Sequence, residues 1–421
     1  MKKRLSGLLV SLLIIFGFSS FSFAGEKLAI VISGQSHASL YPCHCPFNPT
    51  GGVARRATLI NDIRKESENT LVLEAGGSFA GGSYDVTSQT TEFDKERTKF
   101  YMQSLTEMGY DAFLVSNKEF NFGDNFLKDV ISKHKLDYLS ANLGSEFKPY
   151  IIKEFAGIKI AIIGITDKDV KEKTKFPYSS PEENLVNIIN DVKGKEKANF
   201  IIVLSYFNQK ESQEIISKVD GIDVWISSNN PFLQGSNQDV SGTQLIVPAW
   251  QVRSLAKVIL DLDTLKIEDV VHIELNSDIA DDKNVLSLIP GCFNDKDCHK
   301  SGFTAKCKEQ GTKKAKCDFS KIKPIKLTVI KPNACKTCNI DATLEQIKTV
   351  IVDPDVKYLE ENNDSAKKII KKLKIKMLPA YLIEKPIFEE EVVSKIKQIS
   401  KEQDDFYVLE PGFTGVSYFA G

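Results

Sequence analysis

A short apolar segment near the start of the chain, followed at once by residues suited to chemistry, most constrains the fold. Residues 28–33 read LAIVIS, and their length and β-branching predict a buried parallel strand. The carboxyl ends of such strands are where α/β proteins place their sites. His37, Cys43 and Cys45 come after this strand, and a Gly-Gly pair then opens an amphipathic helical pattern. The segment therefore predicts a site of ligand-type or redox residues.

The first 24 residues have the composition of a secretory signal. Three basic residues at positions 2–4 precede an apolar run over residues 8–21, and Ser-Phe-Ala ends at Ala24. The apolar run is too short for a convincing membrane anchor. We therefore predict an exported protein, periplasmic or extracellular, with no stable membrane anchor.

The charge of the chain argues against one class of partner. Its formal net charge is -1, and removal of the basic signal segment makes it more negative. Because nucleic-acid-binding proteins carry a strongly basic footprint, we expect no nucleic-acid partner. The length that remains predicts two or three domains.

Residues 25–278 alternate short apolar runs with helical patterns, which predicts a layered α/β domain with a mixed sheet. Motifs at the predicted strand ends closely resemble the 5′-nucleotidase branch of the calcineurin-like metallophosphoesterases, which includes the periplasmic UDP-sugar hydrolases. The resemblance rests on the segments at residues 51–56, 73–79, 109–112, 117–120 and 141–143. It implies a metallophosphoesterase-like fold for this domain.

The resemblance also implies where two divalent ions would bind, and here the sequence departs from the family. The family motifs are Asp-x-His, Gly-Asp, Gly-Asn-His-Glu, a later His and Gly-His-x-His. Most of the ligand positions carry other residues here: Gln35, Gly77, Lys118, Tyr206, Asn229 and Pro231. Only His37 and Asn117 remain as ligand types, and two neutral ligands cannot hold two cations. The comparison therefore predicts an inactive scaffold with no required cofactor, and we do not expect two divalent metals.

Cys43 and Cys45 leave three interpretations open. A disulfide between positions i and i+2 closes a very small ring, which favours redox chemistry. Thiolates together with His37 or His44 would instead suit copper or zinc. The third interpretation is a structural bond within the loop.

Residues 286–321 predict a small disulfide-rich connector. The segment has few apolar side chains and cannot order itself by burial, so it needs covalent ties. Two disulfides among its four cysteines are the expected ties, with the pairing left open, and zinc is the alternative. The four residues are Cys292, Cys298, Cys307 and Cys317.

Residues 324–403 contain a predicted strand, a C-x-x-C opening a helical pattern, and a Leu-Pro before a later strand. This order resembles the thioredoxin fold, which implies a cis bond at Pro379 beside the cysteine pair. A helix N-terminus would depress the pKa of Cys335, aided by Lys336, and Cys338 would resolve the mixed disulfide. Residues 404–421 are predicted to form a C-terminal tail.

The combination resembles the UshA-like (seleno)protein group, and sulfur is the predicted reactive element. The main prediction is an exported thiol-disulfide redox protein with Cys335, Cys338, Pro379, Cys43 and Cys45 at its reactive sites. Its partner would be a protein or small molecule that bears a thiol or disulfide. The alternatives are a residual 5′-nucleotidase or phosphoester hydrolase, and a non-catalytic protein that binds a ligand or soft metal. The sequence leaves the oligomeric state open.

Overall fold

The computed structural model describes residues 25–43, 45, 48–298, 300, 303–321, 324–333, 335, 338–351, 353–385, 387, 390–414 and 418–419. The predicted signal at residues 1–24, and the predicted roles of His44 and Lys336, lie outside the described residues. The chain divides into two compact units, Met1–Ile289 and Pro290–Gly421.

The first unit contains two mixed six-stranded sheets. Its strands are β1 Lys27–Ser33, β2 Asn69–Glu74, β3 Ala112–Leu114, β4 Tyr138–Leu139, β5 Tyr150–Phe155, β6 Ile158–Ile165, β7 Phe200–Ser205, β8 Val224–Ser227, β9 Ser236–Val240, β10 Thr243–Val247, β11 Ser254–Asp261 and β12 Lys266–Glu274. Its α-helices are α1 Val53–Glu66, α2 Thr91–Met108, α3 Asp124–His134, α4 Pro181–Asp191, α5 Gln209–Ile216 and α6 Lys283–Leu288.

Each sheet has a parallel centre. The strand order is β12-β11-β1-β2-β3-β4 in one sheet and β5-β6-β7-β8-β10-β9 in the other. Strands β1 to β4 are parallel neighbours, as are β6, β7, β8 and β10. The sequence predicts a single mixed sheet, whereas the structure has two. Apolar patterning identifies strands, but it does not say which strands pair.

The core of the first unit lies between the two sheets. Leu28, Ile30 and Ile32 of β1 point into the same apolar cluster as Ile160 and Ile162 of β6, as the period of two along a strand requires. A second cluster joins the other face of the β6–β7 sheet to α4 and α5. With both faces of these strands covered, only the loops at the strand ends present polar groups.

The second unit has its own sheet. Its strands are β13 Phe303–Lys308, β14 Lys316–Lys321, β15 Lys326–Lys331, β16 Asp355–Glu360, β17 Met377–Leu378, β18 Ala380–Glu384, β19 Ser400–Gln403, β20 Phe406–Leu409 and β21 Tyr418–Phe419. Its α-helices are α7 Ile340–Lys348, α8 Asp364–Lys372 and α9 Glu390–Ile399. The five-stranded sheet has the order β16-β15-β18-β20-β19.

Two boundaries in this unit differ from the sequence-based expectation. The predicted tail at 404–421 begins between β19 and β20, so the boundary at 403 divides one sheet; Tyr407 and Leu409 of β20 are part of the core. Helix α7 begins at Ile340 and is capped by Asn339, whose Oδ1 accepts from the Ala342 amide at 3.1 Å. Cys335 therefore lies ahead of the first helical turn rather than in it. The Leu378–Pro379 peptide bond is cis.

All eight cysteines are in disulfides, and none is free. The four bonds are Cys43–Cys45, Cys292–Cys307, Cys298–Cys317 and Cys335–Cys338. The connector cysteines, whose pairing the sequence left open, thus tie the β13–β14 hairpin to the segment before it. Among the described residues, no helix combines the length and apolar character needed to cross a bilayer.

Candidate functional site

The loops that follow the parallel strands of the first unit converge at one edge. The amide of Gln35 donates to the Gly76 carbonyl at 2.8 Å, and that of His37 donates to the Gly77 carbonyl at 2.8 Å. The Gly77 amide in turn donates to Ser116 Oγ at 3.2 Å. Gly77 has φ +71°, and a Cβ there would lie 2.6 Å from the ring of Tyr206. Only glycine fits this close approach.

Asn117 is held in place by a capping arrangement after β3. It opens the short 3-10 helix Asn117–Phe120, which Ser116 caps together with Glu119. The Glu119 carboxylate is fully buried and also accepts from the Ser78 amide at 2.7 Å. Glu119 therefore fixes the loops after β2 and β3 against each other.

Asp167, at the end of β6, binds Asn117 from the other sheet. Its carboxylate accepts from the Asn117 amide at 2.9 Å and from Asn117 Nδ2 at 2.7 Å. Burial raises the pKa of Asp167 to about 6, while the hydrogen bonds from Asn117 act in the opposite direction. Sequence reasoning missed this residue, although it follows the apolar run of β6 in the same way as the predicted site residues follow theirs.

The sequence-based prediction also missed Lys173, which is hydrogen-bonded to the side-chain oxygen of Asn117. Its ammonium donates to Asn117 Oδ1 at 3.1 Å and to Asn121 Oδ1 at 2.6 Å. Burial and the nearby charge of Lys118 lower the pKa of Lys173. Lys173 is separated from Asn117 by 56 positions, so no local pattern could have joined them.

His37 is buried with an unused ring nitrogen. The residue is 1% exposed, and its Nδ1 has no hydrogen-bond partner among the described residues. Burial lowers the pKa of His37 to about 4; the Asp85 carboxylate opposes this shift and the Lys118 charge adds to it. The imidazole is therefore neutral near pH 7.

Gln35 and Tyr206 fill the places where the family has metal ligands. Gln35 Nε2 donates to the Pro248 carbonyl at 2.9 Å, and its Oε1 accepts from the Asn230 amide at 3.1 Å. The fully buried Tyr206 ring lies against Gly77. These two side chains connect loops and fill space. Gln35, His37, Asn117, Lys118 and Asp167 are called the strand-end cluster below.

The strand-end cluster does not fit the two-ion arrangement that the resemblance implies. Both oxygens of Asp167 and both polar atoms of Gln35 are already hydrogen-bonded, and the ammonium of Lys173 holds the Asn117 oxygen. The Nδ1 of His37, which has no hydrogen-bond partner among the described residues, offers only one neutral nitrogen as a metal ligand. A pair of divalent ions needs several anionic oxygens, and Asp167 carries the one carboxylate of the cluster.

The soft-metal interpretation of the first cysteine pair is also not supported. Cys43 and Cys45 are bonded to each other. Within the part of the chain that the structure describes, the one group of metal-ligand atoms is Cys292, Cys298 and Cys317. All three sulfurs are in disulfides, so none is a thiolate ligand, and the zinc alternative for the connector is not supported either.

Comparison with known proteins identifies what part of this chain is similar to. No protein-family model matches the chain. The 5′-nucleotidase of Vibrio cholerae is 30% identical over 209 residues, which are 45% of this chain and 35% of the relative. Protein UshA of Salmonella pullorum is 28% identical over 192 residues, which are 43% of this chain and 34% of the relative. The chain thus spans only about a third of the length of these relatives.

A solved structure agrees with the fold. The 5′-nucleotidase precursor of Thermus thermophilus superposes with a TM-score of 0.54 at 20% identity, covering 62% of this chain and 57% of that one. At this identity the likeness concerns the fold alone. It supports a mixed α/β calcineurin-like phosphoesterase fold for the part of the chain that it covers.

Two predictions made from the sequence are wrong in the light of these relatives. The thiol-disulfide redox protein on an inactive scaffold is contradicted, because the matching proteins are nucleotidases and phosphoesterases. The expectation that no cofactor is required is contradicted as well, because this family normally uses divalent metals. The sulfur chemistry was inferred from ligand loss and a C-x-x-C spacing, neither of which outweighs sequence similarity to 5′-nucleotidases over 209 residues. The homologues and structural neighbours of this chain are 5′-nucleotidase and UshA-like phosphoesterases with a calcineurin-like fold.

Proposed function

We propose that this chain is a phosphoester hydrolase of the 5′-nucleotidase type, acting on nucleotide-class substrates. The observation that carries the proposal is the strand-end cluster. His37, Asn117 and Lys118 follow the parallel strands β1 and β3 at their carboxyl ends, and the chain is 30% identical to a 5′-nucleotidase over 209 residues. Sites in open α/β sheets form at such ends.

The charges at the cluster suit a phosphoryl group. Phosphoryl transfer is catalysed almost entirely by positioning and by electrostatic stabilisation of the equatorial oxygens. Lys118 and Lys173 supply two ammonium groups, and in the described part of the chain neither has a carboxylate within 4.0 Å. The unused Nδ1 of the neutral His37 is available to bind or orient a reacting group.

The hydrolase proposed here has an altered ligand set. Support comes from the residues at the family's ligand positions, of which Gln35 and Tyr206 connect loops and Lys118 carries a positive charge. We assign no catalytic step to a metal ion.

The proposal includes a domain organisation. The hydrolase domain spans residues 25–278, a disulfide-rich connector spans 286–321, and a thioredoxin-like module follows from 324 and includes β20. The strand order β16-β15-β18-β20-β19, with β15 and β16 parallel and β18 antiparallel, supports the module. Disulfides at all eight cysteines support export to an oxidising compartment.

Phosphate release tests the proposal. The purified chain is incubated with 5′-AMP or 5′-UMP, with Mg²⁺, Mn²⁺ or Zn²⁺ added and after chelation. We expect release to fall by about a hundredfold in Asn117→Ala, because this variant loses the side chain that positions Lys173 and the loss of one donor at a reacting oxyanion has about that effect. The exposed Asn125→Ala is the matched control. The absence of release under every condition would contradict the proposal.

A further inference from the structure

Exposed aromatic side chains lie beside the strand-end cluster. Phe232 is 60% exposed and Tyr84 is 38% exposed. Their rings meet edge to face with centroids 6.2 Å apart, and Phe232 rests on Trp250 at 4.5 Å. Tyr84, Phe232 and Trp250 are called the aromatic rim below. An exposed group of large aromatics on a folded domain marks a binding surface more often than a packing accident.

The backbone of Phe232 adds to this signal. Its φ is +66°, a left-handed conformation that is unfavourable for a bulky side chain. Such strain persists where the surrounding structure imposes it, and it concentrates at ligand sites. Burial does not explain it here, because most of the ring is exposed.

The surrounding structure does impose this conformation. The preceding Asn230 is buried and accepts from the Gln209 amide at 3.0 Å. It also donates through its Nδ2 to the Ser227 carbonyl at 2.9 Å and through its amide to Gln35 Oε1 at 3.1 Å. The loop is thus anchored to the strand-end cluster, and Phe232 is presented from a fixed base.

A positive charge lies on the other side of Tyr84. The ammonium of Lys118 is 5.8 Å from the Tyr84 ring centroid, and Lys173 lies near enough for the two charges to repel. The surface thus runs from cationic groups across Tyr84 to Phe232. Its complement is an anion joined to a planar ring, which describes a nucleoside monophosphate.

We infer that Phe232, with Tyr84, stacks the base of a nucleotide whose phosphate lies at Lys118. The inference deepens the proposed function and rests on it for the substrate class. It adds a base-binding surface on the hydrolase domain itself. Base–aromatic stacking tolerates every base, because each has a π face, so we expect weak discrimination among nucleobases.

Calorimetric titration of the full chain tests this inference. The probes are the phosphonate analogue of AMP, in which a methylene replaces the ester oxygen, the matching ribose 5-phosphonate, and adenosine. We expect Phe232→Leu to weaken binding of the AMP analogue by at least about fivefold, the effect of one stacked base, and to leave the ribose compound unchanged. Lys118→Met should weaken both phosphonates and spare adenosine.

The titration has a matched control at another exposed phenylalanine and a second variant at Phe232. Phe413→Leu, at a phenylalanine that is 49% exposed, should change nothing. Phe232→Gly removes the ring together with the backbone strain, and it provides a well-folded variant if Phe232→Leu is unstable. Equal binding of the AMP analogue by wild type and both Phe232 variants would overturn the inference. A Phe232→Leu variant that changes self-association but not binding of the AMP analogue would also overturn it.

The readout also separates this inference from the proposed function. Release of phosphate from AMP that is indifferent to Phe232 would refute the base site and keep the hydrolase. Base-dependent binding of the AMP analogue without any hydrolysis would keep the base site and refute the hydrolase.

Discussion

The strand-end cluster and the aromatic rim are neighbours built in opposite ways. In the cluster, Gln35 and Asn117 use their side-chain oxygens and nitrogens for hydrogen bonds within the protein. At the rim, Phe232 and Tyr84 leave much of their surface exposed. The difference indicates that Gln35, Asn117 and Asp167 set positions, while Phe232 and Tyr84 are free to meet a ligand. Changes at the hydrogen-bonded cluster residues should therefore reduce stability, and changes at the rim should reduce binding.

The largest expected effect comes from buried ion pairs next to Tyr84 of the rim, since Asp85 directly follows Tyr84 in the chain. Arg97 pairs with Asp85 and with Asp94, the latter at 3.0 Å, and all three are nearly inaccessible. Arg97→Met leaves two buried carboxylates unpaired and should lower the free energy of unfolding by about 3–5 kcal/mol.

Both tryptophans, Trp225 and Trp250, lie in the first unit, so denaturation followed by their fluorescence reports on that unit. The exposed Lys99→Met should change stability by less than about 0.5 kcal/mol. Similar denaturation midpoints for Arg97→Met and Lys99→Met would show that the ion pairs of Arg97 contribute little to stability.

The second effect is a pH dependence of the free energy of unfolding that comes from Glu74. The fully buried carboxyl accepts from Ser33 and from Ser36, the latter at 2.9 Å, and burial raises its pKa to about 7 from 4.5. The folded state then binds more protons than the unfolded state between these values, so stability falls as pH rises through this window.

Comparison with Glu74→Gln isolates this contribution, because the lowered pKa of His37 acts with the opposite sign over an overlapping range. The stability difference, wild type minus variant, should fall by up to about 3 kcal/mol from pH 4.5 to pH 7 and stay constant above. A difference that rises with pH would contradict the burial of Glu74 in a protonated form.

The third effect is a loss of stability when the Asp167 carboxylate is removed from the cluster. Asp167→Ala leaves the Asn117 amide and Nδ2 without the carboxylate that accepts from both. We expect a loss of about 1–3 kcal/mol, measured by the same denaturation. The exposed Asp169→Ala is the matched control, and an equal loss in both variants would mean that the Asn117 contact contributes nothing.

The smallest effect on stability is expected at the rim. Phe232→Gly removes an exposed ring and relieves a left-handed backbone, so the two contributions nearly cancel and the midpoint should shift by less than about 0.5 kcal/mol. A large loss would place Phe232 among the structural residues and erase the contrast between cluster and rim.

Part of this architecture could be predicted from the sequence. Residues 28–33 predict β1, and the polar residues after each apolar run predict where the cluster forms. The apolar run predicts a buried parallel strand, and residues 28–33 are buried in a strand parallel to β2. These features depend on local periodicity, which is why one chain suffices to find them.

The rest depends on contacts between distant positions. Lys173 reaches Asn117, and Asn230 reaches Gln35 across 195 positions. Phe232 gains its role from a backbone angle and from Tyr84, which no pattern in the sequence reveals. The functional prediction failed because the substitutions at ligand positions were given more weight than the similarity to 5′-nucleotidases, which extends over 209 residues in one relative.

The most direct test of the hydrolase assignment is the reaction of 5′-AMP in H₂¹⁸O, with the released phosphate analysed by mass spectrometry. We predict that wild type releases phosphate carrying one ¹⁸O, at a rate that Asn117→Ala lowers and Asn125→Ala does not. Release of unlabelled phosphate, or no release from wild type under conditions in which it is folded, would contradict the assignment.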